Sequence, residues 1–331
     1  MRNMFRQIKA STHTALGAFA IIAVTACGPA SETPPNPQTN PQTSPPEGSP
    51  AGTKPLASPL DLPAVFDCVR ETDAVLIAAH RGGPVPGYPE NALETLKRTF
   101  DEDTPVLEID VSVSRDGVLF LFHDRTLGRL MQMRGTVADT DWSKLSDWEL
   151  YDNDGEPTGF YAPRLDEVLE WAVEAGAILE LDRKDNVAFA ELVEAVRAAG
   201  AENNVILITY DDQEAETVAR IAPDMMLTAS ARNAGDLDDL ERRGVDLSRL
   251  IAWTGTSNPS GPDYRDMEGD GVEAAFGTLG RPGDRLDDSF RARDYRELVN
   301  MGVRLIATDR PGDVANFLTQ DDAALAACLT Y

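Results

Sequence analysis

The chain has 331 residues, with 56 acidic against 30 basic side chains and a formal net charge of −26. That balance excludes binding along a nucleic-acid backbone, which needs a basic face, and its plain meaning is a solvated acidic surface. Only three cysteines and three histidines are present, and no CxxC spacing occurs, so zinc-ribbon and dithiol redox chemistry are excluded as well.

In chain order, residues 1–27 read as an export signal. Arg2, Arg6 and Lys9 form a basic start, and the apolar run Ala15–Val24 is shorter than the about 20 residues of a membrane span. The stretch Val24-Thr25-Ala26-Cys27 resembles the bacterial lipobox, which makes Cys27 the lipidated N-terminus of an exported lipoprotein. Gly28, where an aspartate is associated with inner-membrane retention, favours the outer membrane facing the periplasm. Residues 28–60 are rich in Pro, Ser, Thr, Asn and Gln and too poor in large apolar groups to offset their ordering entropy, so they are expected to be a disordered tether.

Residues 61–331 have the size of one α/β barrel domain. Strands are predicted over 75–79, 106–113, 118–122, 177–181, 205–209, 226–228, 250–253 and 303–307. Helices are predicted over 91–100, 166–175, 187–199, 213–221 and 237–243. Strands alternating with helices of this length imply βαβ units and a parallel sheet. The stretch 125–163 breaks the rhythm and is expected to be an irregular insertion with a short helix over 142–150. Within it Asp152-Asn153-Asp154-Gly155 is read as a turn, because the distal glutamate of a calcium loop is missing. Cys68 and Cys328 lie near the two ends of the domain. Domain termini often meet in space, and an exported protein keeps disulfides, so these two are predicted to pair.

The chemistry gathers at strand ends. His80 and His123 are the histidines of the domain, each follows a strand, and in a parallel barrel such ends line the active site. Two imidazoles can supply one acid and one base near neutral pH. On the strand between them Glu108 and Asp110 share a face, while Leu107, Ile109 and Val111 share the other. Two buried carboxylates side by side need a neutralising partner, and a hard divalent cation such as Ca2+ or Mg2+ supplies it. A later strand places Glu180, Asp182 and Lys184 on one face. Either acid completes the cation site, and Lys184 and Arg81 can hold a phosphate oxygen. This inventory describes phosphoryl transfer better than glycoside cleavage.

The motifs His80-Arg81-Gly82-Gly83, Pro89-Glu90-Asn91, Glu108-Ile109-Asp110, Arg115-Asp116-Gly117, His123-Asp124, Pro163-Arg-Leu165-Asp-Glu167-Val-Leu169 and Thr308-Asp309-Arg310-Pro311, in that order, resemble those of the glycerophosphodiester phosphodiesterases. The resemblance implies a (β/α)8 TIM barrel with a small insertion after the strand ending at His123. It further implies metal-dependent hydrolysis of a small glycerophosphodiester to glycerol 3-phosphate and an alcohol. Under it His80 and His123 are the catalytic pair, and Glu108 and Asp110 are metal ligands. Arg81 and Lys184 contact the phosphate, and Glu90 and Asn91 stand beside the site with them, Glu90 as a further ligand or orienter. The later ligand sits two residues before a lysine, which selects Asp182, with Glu180 as the alternative. Two other readings stay open: a phosphodiesterase of the same barrel acting on intact lipids, and a non-catalytic surface lipoprotein.

Overall fold

The computed structural model describes residues 60–102, 104–280, 285–318 and 322–329. The signal peptide, Cys27 and nearly all of the tether lie outside the described residues. Eleven strands are seen among those described: β1 Leu76–Ala79, β2 Val106–Val113, β3 Leu119–Leu121, β4 Glu149–Tyr151, β5 Pro157–Tyr161, β6 Ile178–Arg183, β7 Val205–Ile208, β8 Met226–Ser230, β9 Leu250–Trp253, β10 Glu273–Gly277 and β11 Val303–Thr308. Parallel pairing runs β1-β11-β10-β9-β8-β7-β6-β2, and β2 pairs back onto β1 through Ala78↔Val106 and Ala79↔Leu107. The sheet thus closes as an eight-stranded parallel (β/α)8 barrel.

Strand alternation divides the core into two shells. Leu107, Ile109, Val111, Leu179, Leu181 and Leu207 point outward and pack on helices such as Leu165–Ala175 and Phe189–Ala199. Val106, Ile178, Ile206, Met226, Ile251 and Leu305 point inward near the strand starts. The amphipathic helix Leu62–Glu71 caps that end, burying Leu62, Val65, Phe66 and Val69 against the inner ring. Each such side chain contributes about 1.5–3 kcal/mol. Arg70 of this helix also forms an ion pair with the buried Glu273 of β10. Cys68 on the same helix is bonded to Cys328, with Cα atoms 5.5 Å apart and a sequence separation of 260.

Several elements differ from the sequence expectation. β3 is antiparallel to β2 and stands outside the parallel ring. β10 is a barrel strand that the residue pattern did not reveal. The helix expected from Asn91 starts at Leu93, because Asn91 takes a left-handed backbone (φ 60°).

Between β3 and the helix Leu165–Ala175 the chain leaves the barrel. It forms a helix Gly128–Met131, a short helix Trp142–Leu145 and the antiparallel hairpin β4–β5. Phe120, Phe122, Leu127, Leu130, Val137, Leu145 and Leu150 give this excursion its own small core. The expected helix over 142–150 stops at Leu145, and the chain turns into β4. Asp152 closes the hairpin turn by accepting the N–H groups of Asp154 and Glu156 at 3.0 and 2.9 Å. It ties that turn to the barrel through the N–H of Gly87 at 2.8 Å.

Candidate active site

β1 ends in a tight turn. Arg81, Gly82 and Gly83 all adopt left-handed backbone, with φ of 52°, 80° and 74°. At Gly82 a Cβ would collide with the Leu96 side chain, and at Gly83 one would lie 2.9 Å from Pro311 Cγ. Only glycine meets both demands. The turn brings the Arg81 N–H onto Glu108 Oε2 at 2.6 Å. It also sends the Arg81 guanidinium to Glu90, where Nη1 donates to both carboxylate oxygens at 3.0 and 3.1 Å. The strained backbone at Arg81, a non-glycine residue, sits where the chemistry is expected.

The acids come from two adjacent strands in one register. Glu108 of β2 faces Glu180 of β6, and Asp110 faces Asp182. Ligand oxygens of Glu108, Asp110 and Asp182 converge within 4.8 Å of one another, and all three residues are buried. Glu180 lies one inward position deeper and stands outside that group. Burial, reinforced by the charge of Asp110, pushes Glu108 up to about 8. Burial pushes Asp110 the same way, but Lys184, His123 and Arg81 outweigh it and hold the group below the usual carboxylate range. Burial alone takes Glu180 up to about 7. A cluster of oxygen donors that resists ionising together is the donor set that a hard divalent cation stabilises, so the residues fit such an ion.

Two cations flank the cluster. Lys184 Nζ donates to Asp110 Oδ1 at 2.5 Å and Asp182 Oδ2 at 2.6 Å. The Arg81 Nε lies 3.7 Å from Asp110 Oδ2. Asn91 locks Asp110 from behind: its Nδ2 donates to Asp110 Oδ2 at 2.6 Å, and its Oδ1 accepts the Asp110 N–H at 2.9 Å. Glu90 and Asn91 are both buried and engaged in these roles, Glu90 on Arg81 and Asn91 on Asp110.

Each histidine carries an aspartate on Nδ1. His80 Nδ1 donates to Asp309 Oδ1 at 2.7 Å, and His123 Nδ1 donates to Asp124 Oδ1 at 2.8 Å. Such a partner fixes the tautomer and turns Nε2 toward the site. Burial draws the His80 imidazole down, yet the hydrogen bond to Asp309 and the charges of Glu108 and Asp309 raise it overall. His123 reaches the same mouth by another route. β3 folds back along β2, the Phe122 N–H bonds the Asp110 carbonyl at 2.9 Å, and His123 follows directly.

Several participants were invisible as such in the sequence. Arg129, from the excursion, bridges Asp124 and Glu90. Tyr210 donates its hydroxyl to Asp182 Oδ2 at 2.8 Å. Asp287 fixes the Asp309 loop by accepting the Asp309 N–H at 2.9 Å and the Thr308 hydroxyl at 2.9 Å. Asp124 and Asp309 belong to the His123-Asp124 and Thr308-Asp309-Arg310-Pro311 motifs, but their spacing does not link either to a particular imidazole.

Two cavities open from this centre, and Asp182 and Tyr210 line both. One, of about 340 Å3, lies beside His80 and Glu108. The other, of about 720 Å3, is wider and runs past His123 and Lys184.

Residues 80–238 match the model of the glycerophosphoryl diester phosphodiesterase family. The crystal structure of such a protein from Parabacteroides distasonis is 30% identical, superposes with a TM-score of 0.69, and is covered over 92% of its chain by 77% of this one. A glycerophosphodiester phosphodiesterase of Caldanaerobacter subterraneus is 25% identical over 46% of this chain and 65% of its own, so the present chain spans just under two thirds of that curated relative. A phosphodiesterase of Oleispira antarctica, solved with the product sn-glycerol-3-phosphate, shares the fold at 20% identity, with a TM-score of 0.55 over 76% of this chain and 99% of its own.

Proposed function

The chain belongs to the glycerophosphoryl diester phosphodiesterase family, and from that premise we propose that it hydrolyses glycerophosphodiesters to glycerol 3-phosphate and an alcohol. A divalent cation, Ca2+ or Mg2+, would be held by Glu108, Asp110 and Asp182, with His80 and His123 as the proton-transfer pair. One observation carries the reading: two aspartate-oriented imidazoles and three converging carboxylates share one mouth of the barrel.

The cation would act there as a Lewis acid, drawing charge from the phosphate oxygens. Arg81 and Lys184 add positive charge on either side of the acids and orient the diester. One imidazole takes the proton of the attacking hydroxyl, from water or from the neighbouring glycerol hydroxyl; on the second route the cyclic phosphate that results is opened by water in a further step, with the two imidazoles exchanging roles. As the new P–O bond forms and the old one breaks, the other imidazole gives its proton to the departing alkoxide. Asp309 and Asp124 hold the rings and offset the positive charge that each carries in turn.

The test is release of glycerol 3-phosphate from glycerophosphocholine with and without EDTA, in wild type and in His80→Asn and His123→Asn. Each variant should lose at least about 100-fold in kcat while keeping its melting temperature. Near-wild-type turnover in either variant would end the assignment. Cleavage of an intact phospholipid in preference to glycerophosphocholine would instead select the lipid-acting reading, and binding without turnover would select the non-catalytic one.

Attachment through Cys27 to a bacterial membrane, at the outer membrane facing the periplasm, belongs to the same proposal and is supported by the order of segments before residue 61. Cys27→Ser should move the protein from the detergent phase to the aqueous phase on Triton X-114 partitioning.

A further inference from the structure

Glu180 is buried, with 5% of its surface exposed, and points into the barrel. Its carboxylate makes no hydrogen bond or ion pair with any described residue. A buried polar group left so is unfavourable unless a ligand supplies the partner. What exposure remains opens into the 340 Å3 cavity beside His80, a size at the lower end of the about 300–1,000 Å3 typical of small-molecule sites.

That cavity exists because the barrel's inner side chains become small on one side. Thr228 and Ala307 line it where the layer beneath presents Met226 and Leu305. Its far wall is the Trp253 ring, which lies against Gly277: a Cβ there would come within 2.7 Å of Trp253 Cη2. Leu279 and Ile208 add apolar surface. The lobe therefore offers carbon-packing walls and one unpaired acceptor at depth. Glu180 sits two residues before Asp182 on β6, about 6.6 Å deeper along the strand, a depth comparable with the length of a three-carbon arm.

We propose that Glu180 and this lobe form a hydroxyl-reading subsite: the polyol arm of the diester enters beside His80, and Glu180 accepts a hydrogen bond from its terminal hydroxyl. The wider cavity past His123 and Lys184 is left for the second, variable arm. The inference rests on the phosphodiesterase reading above and extends it to substrate selection.

The probe is a substrate pair: glycerophosphocholine, and the analogue in which the glycerol arm is replaced by 2-hydroxypropyl. The analogue lacks the terminal hydroxyl but keeps the one next to the phosphate ester, so either route of attack stays open. Wild type should prefer glycerophosphocholine by at least about 100-fold in kcat/KM, because a site built to bond a hydroxyl rejects the analogue without it. Glu180→Leu should reduce that ratio to within about tenfold of unity, and the isosteric Glu180→Gln, which keeps an acceptor, should hold most of it. The Mn2+-induced rise in melting temperature should persist in both variants.

A wild-type ratio near one overturns the subsite even if no variant folds. So does a Glu180→Leu protein that loses activity on both substrates equally, or one that loses the Mn2+ response and so reveals a ligand role. Gly277→Ala gives an independent reading: by pressing Trp253 into the lobe it should raise KM for glycerophosphocholine about tenfold, and an unchanged KM in the folded variant counts against the placement. Wild type inert toward glycerophosphocholine with every divalent ion would remove the phosphodiesterase reading itself, a result distinct from activity without discrimination.

Discussion

Arg129 meets Glu90 through two parallel hydrogen bonds, Nη1 to Oε2 at 2.8 Å and Nη2 to Oε1 at 2.7 Å. Its Nε and Nη2 also reach Asp124 at 2.8 and 2.9 Å. One guanidinium thus steadies the carboxylate that orients His123 and the carboxylate that holds Arg81. Burial weakens the Arg129 charge, but Glu90 and Asp124 more than restore it, and Asp124 is held below the usual carboxylate range by His123 and Arg129 against the opposing effect of burial. Arg129→Gln should lower kcat through His123 and raise KM through Arg81, for a combined loss in kcat/KM of about 100-fold. Arg129→Lys should recover little, since an ammonium cannot make both two-point contacts. A variant that lost thermal stability but kept both kinetic constants would show that Arg129 only braces the fold.

The raised Glu108 predicts a specific dependence on pH. The unfolded glutamate ionises near pH 4.3, whereas burial and Asp110 push the folded group up to about 8. Stability from keeping this carboxyl neutral is therefore full below about pH 4.3 and is lost as pH rises through about 8. Glu108→Gln stays neutral throughout. In EDTA, its melting temperature minus that of wild type should grow by several degrees between pH 5 and pH 8.5, each kcal/mol being worth about 2–4 °C. A difference that stays flat across that range would show that Glu108 is not the group that resists ionisation.

Lys184 and a divalent cation should compete to neutralise the same acids. With Lys184 Nζ on both Asp110 and Asp182, removing it leaves two buried carboxylates short of positive charge, a loss of about 3–5 kcal/mol. Lys184→Met is therefore expected to melt well below wild type in EDTA and to gain more than wild type on adding Mn2+ or Mg2+. Differential scanning calorimetry across a metal titration would measure it, and equal gains in the two proteins would refute the shared role.

Reduction should weaken the fold without touching the chemistry. Removing the Cys68–Cys328 bond frees a 260-residue separation and should cost about 2–5 kcal/mol, or roughly 4–20 °C in melting temperature. The bond lies on the helix that closes the opposite end of the barrel, so kcat of Cys68→Ser at 25 °C should change less than about twofold. A large fall in kcat with little change in melting temperature would mean that the two ends of the barrel are coupled.

How much of this was readable beforehand follows from what periodicity carries. The outward Leu107, Ile109 and Val111 and the inward Glu108 and Asp110 were legible because alternation on a strand is strict. The strand at β10 was not: Glu273-Ala-Ala-Phe-Gly contains weak strand formers, and its buried Glu273 is tolerated only because Arg70 arrives from far away in sequence. β3 looked like a barrel strand because a three-residue apolar segment carries no sign of its direction. Within the site, residue types were visible but partnerships were not. That Asp309 belongs to His80, 229 positions away, or that Arg129 joins Asp124 to Glu90, is set by chain topology. Asn91 is legible in the sequence as a polar neighbour of the site, but its grip on Asp110 depends on a left-handed backbone that no local pattern announces.

β2 and β6 are partners in the ring although a long excursion separates them in the chain, and that excursion starts beyond the last ladder contact of β2. Glu108, Asp110, Glu180 and Asp182 are consequently held by the staves of the barrel, whereas His123 and Arg129 hang from the added segment. The acid cluster and His80 are thus carried by the barrel itself, and His123 rests on a separable part of the polypeptide. Grafting a different segment between the same two staves would keep the acid cradle and His80 and exchange only the surroundings of His123.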